Sequence, residues 1–146
     1  MKIVIETPKY SFFKYNKTGS GYKRAFFSPL PTIFNYGFIE GTKGPDGMEE
    51  DVIVLGPRLP QGTVLERNYF DGLVKFLDDS CRDNKKIVYI SGFRSPALLS
   101  AYFRIYALFK VFLYLLSRKK LTECRFEGIV FEKSEPKKVK SNEGGP

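Results

Sequence analysis

The chain has 146 residues, 42% of them hydrophobic and 27% charged, which suits one domain around a single core and excludes a wholly disordered chain. A net charge of +8 favours anionic partners, and the absence of histidine excludes any mechanism that needs an imidazole base. With only two cysteines, Cys81 and Cys124, zinc-finger and Cys-His chemistry are excluded as well, leaving acid–base work to carboxylates, lysine, tyrosine or metal-bound water.

The opening Met1-Lys2-Ile3-Val4-Ile5-Glu6 holds too short an apolar run for a signal peptide, so the cytoplasm is the expected location. Short strands are predicted at Lys2–Glu6 and Phe12–Tyr15, followed by Asn16-Lys17-Thr18-Gly19-Ser20-Gly21, a hairpin or loop signal. Further strands are predicted at Lys23–Phe27, Asn35–Ile39, Asp51–Leu55, Thr63–Asn68, Gly72–Leu77 and Lys86–Ile90. So many short strands at close spacing point to an α+β, mainly β, architecture: a small closed or partly closed barrel rather than a parallel sheet.

From Ser95 the pattern changes. Pro96 suits the first turn of a helix, and Ala97–Leu116 runs without a breaker, predicting one long helix in the C-terminal half. Its twenty residues are long enough for a membrane span, but Arg104 and Lys110 interrupt it, and each charge costs about 2.5–3.5 kcal/mol at a membrane centre. A core helix is therefore expected, with so wide an apolar surface that a second subunit is expected to cover one side. Arg125–Glu132 reads as a returning strand. Residues 1–132 are thus expected to form one domain, and the basic stretch Lys133–Pro146, with no apolar period, a mobile tail.

Chemistry is concentrated in two acidic clusters. Asp46-Gly47-Met48-Glu49-Glu50-Asp51 places four carboxylates within six residues, just before an apolar strand. If Asp46 and Asp51 converge, their repulsion is relieved by a hard divalent cation such as Mg or Mn; otherwise the segment is a solvated acidic turn. Asp78, Asp83 and Lys85 form a D-x4-D-x-K pattern between two predicted strands, which would add further ligands and a cation for an anionic substrate oxygen.

Taken in order, these features resemble the soluble family I inorganic pyrophosphatases. Val4-Ile5-Glu6-Thr7-Pro8 resembles the family's V-I-E-I-P strand, Lys14-Tyr15 its K-Y-E element, and Asn35-Tyr36-Gly37-Phe38-Ile39 its N-Y-G-[YF]-I signature. Arg24 falls where the family has a phosphate-gripping arginine, and Asp46–Val52 is set against D-G-D-P-x-D-x. The resemblance runs from Lys2 to about Ile90 and is weaker in the helix, where Tyr114 stands at the place of a phosphate-binding tyrosine. It implies an OB-like barrel, Mg (or Mn) held by Asp46, Asp51, Asp78 and Asp83, and phosphate oxygens contacted by Lys14, Arg24, Tyr36, Lys85 and Tyr114. The implied reaction is in-line attack of metal-activated water on pyrophosphate, or on another small phosphoanhydride, by a homo-oligomer of up to six subunits.

Three departures bear on that reaction. Met48 replaces the middle aspartate of D-G-D-P-x-D, the carboxylate beside the attacking water, and a thioether accepts no proton and binds Mg poorly. Asn16 replaces a glutamate, and Leu115 stands where a lysine often follows the tyrosine. Glu49, with Glu50 beside it, is the candidate replacement base. The alternatives are a catalytically weakened or silent protein that keeps metal and phosphate binding, and a basic nucleic-acid-binding barrel. The second is disfavoured by the aspartates at the barrel mouth, and a membrane-surface role rests only on the apolar helix and basic tail.

Overall fold

A computed structural model describes residues 1–45, 47–119 and 121–132. The elements in chain order are β1 (Lys2–Thr7), β2 (Phe13–Thr18), β3 (Gly21–Phe27), β4 (Asn35–Ile39), β5 (Asp51–Leu55), β6 (Val64–Glu66), β7 (Gly72–Asp78), β8 (Cys81–Arg82), β9 (Lys85–Tyr89), α1 (Pro96–Arg118) and β10 (Arg125–Val130). β2 and β3 form a separate hairpin, and the rest make one sheet in the order β10-β7-β9-β5-β4-β1-β6, with β8 on β7. The ends of this path, β10 and β6, do not pair with each other, so the sheet is partly closed. Asp46 and the tail 133–146 lie outside the described residues.

β5 sits at the centre, antiparallel to β4 and parallel to β9. Its run Val52-Ile53-Val54-Leu55 is apolar without alternation because both faces are covered. Ile53 and Leu55 join a cluster with Phe34, Phe76, Ile87 and the helix residues Leu99 and Phe103, while Val52 and Val54 pack on the other face with Ile3, Ile5, Ile39 and Val88. The sheet is mainly antiparallel, as expected of a barrel rather than a parallel sheet, with one parallel pair at its centre, β5 with β9, reached by a long excursion through β6, β7 and β8.

Two positions of the Asn35-Tyr36-Gly37 stretch are explained by packing. Asn35 is buried and fully engaged: its Oδ1 accepts from Lys9 N–H at 3.0 Å and Leu59 N–H at 2.8 Å, and its Nδ2 donates to the Pro57 carbonyl at 2.8 Å. Gly37 pairs with Ile5 just before a bulge in the β1–β4 ladder, and a Cβ there would collide with the Val4 carbonyl oxygen.

α1 begins with Ser95 as N-cap, whose side chain accepts from the Leu98 N–H at 3.2 Å, and with Pro96 in its first turn. It is long and apolar enough to span a membrane. One face nevertheless buries Leu99, Tyr102, Phe103, Tyr106, Ala107 and Lys110 against the sheet, each large apolar side chain contributing about 1.5–3 kcal/mol. The other face leaves Ile105, Leu108, Phe112 and Leu116 more than half exposed.

β8 was not expected from the sequence. Asp79 and Ser80 both adopt positive φ, 51° and 61°, making a two-residue hairpin turn that pairs Asp78 with Cys81. Such turns usually carry Asn-Gly or Asp-Gly, so Asp-Ser gave little signal. The turn matters because it folds the D-x4-D-x-K stretch back on itself, with Asp83 N–H donating to the Phe76 carbonyl at 2.9 Å.

Candidate active site

The site is a cleft of about 680 Å³ between the β2–β3 hairpin, the ends of β4, β5, β7 and β9, and α1. At its floor lies Lys85, the first residue of β9 and only 3% exposed. Its Nζ donates to Tyr36 Oη at 3.0 Å, Asp51 Oδ2 at 3.0 Å and Asp83 Oδ2 at 2.9 Å. Those acceptors come from β4, from the start of β5 and from the β8–β9 turn. All three of its N–H groups are therefore used within the protein, and Lys85 clamps the two aspartates.

The charges around it shift accordingly. Burial pulls the Lys85 pKa down, but Asp51, Tyr36 and Asp83 outweigh it and keep the ammonium charged to well above the ordinary lysine range. Burial pushes Asp51 up, yet the Lys85 ammonium and hydrogen bonds from Tyr36 and Asp83 carry it below the ordinary carboxylate range. Asp83 is raised, by burial first and then by Asp51, with Lys85 opposing. Two carboxylates thus share one cation, and the second holds its proton more tightly. Burial and Asp51 push the Tyr36 phenol well above its usual value, so it stays neutral.

Lys14, from β2, is 8% exposed, with its ammonium 3.9 Å from the Tyr36 ring centre and 5.1 Å from that of Tyr106. Burial, reinforced by the positive charge of Lys85, lowers its pKa to about 7. Glu6 also faces the cleft; its Oε2 accepts from Lys17 N–H at 2.6 Å, while burial, with Asp51 and Glu49 adding, raises its pKa. The loop before β5 is held by Gly44 N–H donating to the Met48 carbonyl at 2.6 Å and Glu50 N–H donating to Thr42 Oγ1 at 3.0 Å. Met48 and Glu49 line the cleft, whereas Glu50 faces a smaller neighbouring pocket, so the geometry favours Glu49 of the two.

Other expected residues lie differently. Asp78 shares the cleft but turns to α1: Oδ1 accepts from Tyr114 Oη at 2.8 Å and Cys124 Sγ at 3.6 Å, and Oδ2 faces Lys110 Nζ at 3.4 Å. Among the described residues, no three of Asp, Glu and Cys gather as a metal-holding group, so Asp51, Asp78 and Asp83 do not meet at one point. Arg24 does not line the cleft; it is exposed, with its guanidinium 4.3 Å from the Phe13 ring centre. The cause is a bulge: Lys14 pairs with Phe26 and Tyr15 with Arg24, leaving Ala25 unpaired and breaking the alternation that would have pointed Arg24 inward. Sequence reading missed Lys110 and Tyr106, both buried on the α1 face that closes the cleft. The available signal was their four-residue spacing with Tyr114, which puts all three on one side of the helix.

A partly closed, OB-like sheet with one helix and a cleft of lysines set among carboxylates defines the class of protein. The chain belongs to the inorganic pyrophosphatase family, whose sequence model matches residues 3–105. The inorganic pyrophosphatase of Corynebacterium efficiens is 33% identical over 89 residues, covering 58% of this chain and 56% of that protein. That of Gluconobacter oxydans is 36% identical over 92 residues, covering 60% of this chain and 53% of its own. The chain thus spans just over half the length of these relatives. Inorganic pyrophosphatase structures share the fold: that from Neisseria gonorrhoeae at TM-score 0.70 and 24% identity, covering 90% and 82% of the two chains. The Helicobacter pylori structure gives 0.72 at 20% identity, covering 90% and 84%.

The depressed pKa of Lys14 makes a signed prediction. Between about pH 7 and 10.5 the unfolded chain binds a proton here that the folded chain lacks, so this group makes stability rise with pH across that window. Below it the penalty is present in full. Lys14→Met should therefore gain at least about 1 kcal/mol in urea unfolding at pH 6, a gain that fades as pH approaches 10. An equal effect at both pH values would show that Lys14 is not desolvated as described.

Proposed function

We propose that this chain hydrolyses inorganic pyrophosphate to two phosphates with the help of a divalent cation, Mg being the expected ion and Mn a substitute. The observation that carries this reading is the charge balance of the cleft. Among the described residues its lining has the carboxylates Glu6, Glu40, Glu49, Asp51, Asp78 and Asp83 against the lysines Lys14, Lys17, Lys85 and Lys110. A bare polyanion would be repelled from such a surface; one that arrives with a hard cation is not.

The residues fit such an ion. Asp51 and Asp83 offer hard oxygens, and with one ammonium between them they retain surplus negative charge that a divalent cation relieves. We assign these two as ligands, together with Asp46, which lies outside the described residues. When bound, such an ion draws charge from phosphate oxygens and makes water more acidic. Lys14, at the cleft wall, contributes a cation for a phosphate oxygen, and an arriving phosphate favours its protonated form. Tyr36 keeps its proton and fixes Lys85 in place. Glu49, at the rim beside Met48, is the proposed acceptor of the attacking water's proton.

Met48 supports a second reading, a protein that binds metal and phosphate without turnover, because a thioether at the family's base position accepts no proton. Phosphate release from pyrophosphate with Mg or Mn separates the two. The first reading expects activity in the native chain, lost roughly a hundredfold in Glu49→Gln with metal binding intact. A native chain that is silent while Met48→Asp turns over would establish the second. Silence in both, with metal and phosphate still bound, would end the enzyme reading.

The exposed face of α1, with Leu108 at 66%, Phe112 at 65% and Leu116 at 76% exposure, supports a homo-oligomer in which a second copy covers it. Light scattering should give a multiple of the 16.8 kDa chain, and a stable monomer without detergent would contradict this.

A further inference from the structure

Lys110 is a charged side chain in the middle of an apolar helix face, and the sequence gives no local reason for it. It is 8% exposed, and its ammonium lies 5.1 Å from the Phe26 ring centre and 4.8 Å from that of Tyr114. Bringing a lysine to this depth costs several kcal/mol unless a negative charge answers it. That charge is Asp78, 3.4 Å away. Asp78 in turn is occupied on both oxygens, by Tyr114 and Cys124 on one and Lys110 on the other. It also stands apart from the Asp51–Asp83 pair, with which it forms no metal-holding trio.

We propose that Lys110 is a built-in counter-ion for Asp78, filling with an ammonium the place that a divalent cation would take on the helix side of the cleft. Metal binding is then confined to the side of Asp51 and Asp83, and the helix wall contributes a fixed positive charge that needs no metal in solution. This rests on the metal-assisted reading above and refines it. The pairing is supplied by chain geometry: Lys110 and Tyr114 are one helical turn apart and converge on the last residue of β7. The position is also economical, since Leu115, where the family often has a lysine after the tyrosine, is 43% exposed and lies off this face.

The test is equilibrium binding of Mn to the full chain without substrate, read as stoichiometry and affinity. Lys110→Met, which keeps the stem and removes the charge, should gain one further Mn or bind about tenfold more tightly, because Asp78 is released. Asp78→Asn alone should leave Mn binding as in the native chain, and the double variant should return to the native value. The inference is overturned if Lys110→Met binds Mn as the native chain does, or if Asp78→Asn weakens native binding, which would make Asp78 an ordinary ligand. Should Lys110→Met fail to fold, as judged by circular dichroism, Asp78→Asn still decides the point. Absence of Mn binding by every variant and by the native chain would overturn this inference, while the phosphate-release assay separately decides the parent reading.

Discussion

The structure depends on one buried ammonium. Lys85 is held by a phenol from β4, a carboxylate from β5 and a carboxylate from the β8–β9 turn. The parallel β5–β9 register, Val52 against Lys86, brings Lys85 beside Asp51. A charge at this depth is tolerable only when fully paired, so the cleft floor and the strand order are mutually dependent: shifting either ladder by one residue would strand a charge in the core. The same clamp fixes the directions of Asp51 and Asp83.

The rest of the cleft follows from that floor. Burial, reinforced by the charge of Lys85, pushes a second lysine toward neutrality, which is the situation of Lys14. Burial, with Asp51 adding to it, raises Asp83 and Glu6, and the carboxylates of this side outnumber the ammonium they surround. Asp78 turns the other way, toward α1, where Lys110 stands 3.4 Å from its Oδ2. The cleft therefore has two electrostatic halves, one completed within the chain and one open to an ion.

Much of this was legible in the sequence. Asn35–Ile39 and Asp51–Leu55 are strands at the expected limits, and Ser95-Pro96 announced the helix start, because strand alternation, buried apolar runs and helix caps are local signals. The D-x4-D-x-K pattern did mark the cleft, but spacing could not show that Lys85 would spend all its donors on the protein or that Asp78 would turn to the helix. Arg24 illustrates the limit: one bulge at Ala25 reverses which side of β3 faces inward, and nothing in the local sequence announces it. Lys110 was read only as an interruption of an apolar helix, because its partner lies 32 positions earlier. Long-range pairing is what a single sequence does not display.

The central claim is that this cleft accepts a phosphoanhydride only in company with a divalent cation. Equilibrium binding of imidodiphosphate, which resists hydrolysis, tests it without relying on turnover. The account predicts affinity at least about tenfold higher with millimolar Mn than with chelator, since the cation must offset the carboxylates around Asp51 and Asp83. Equal affinity with and without the metal, or no binding in either condition, would contradict it.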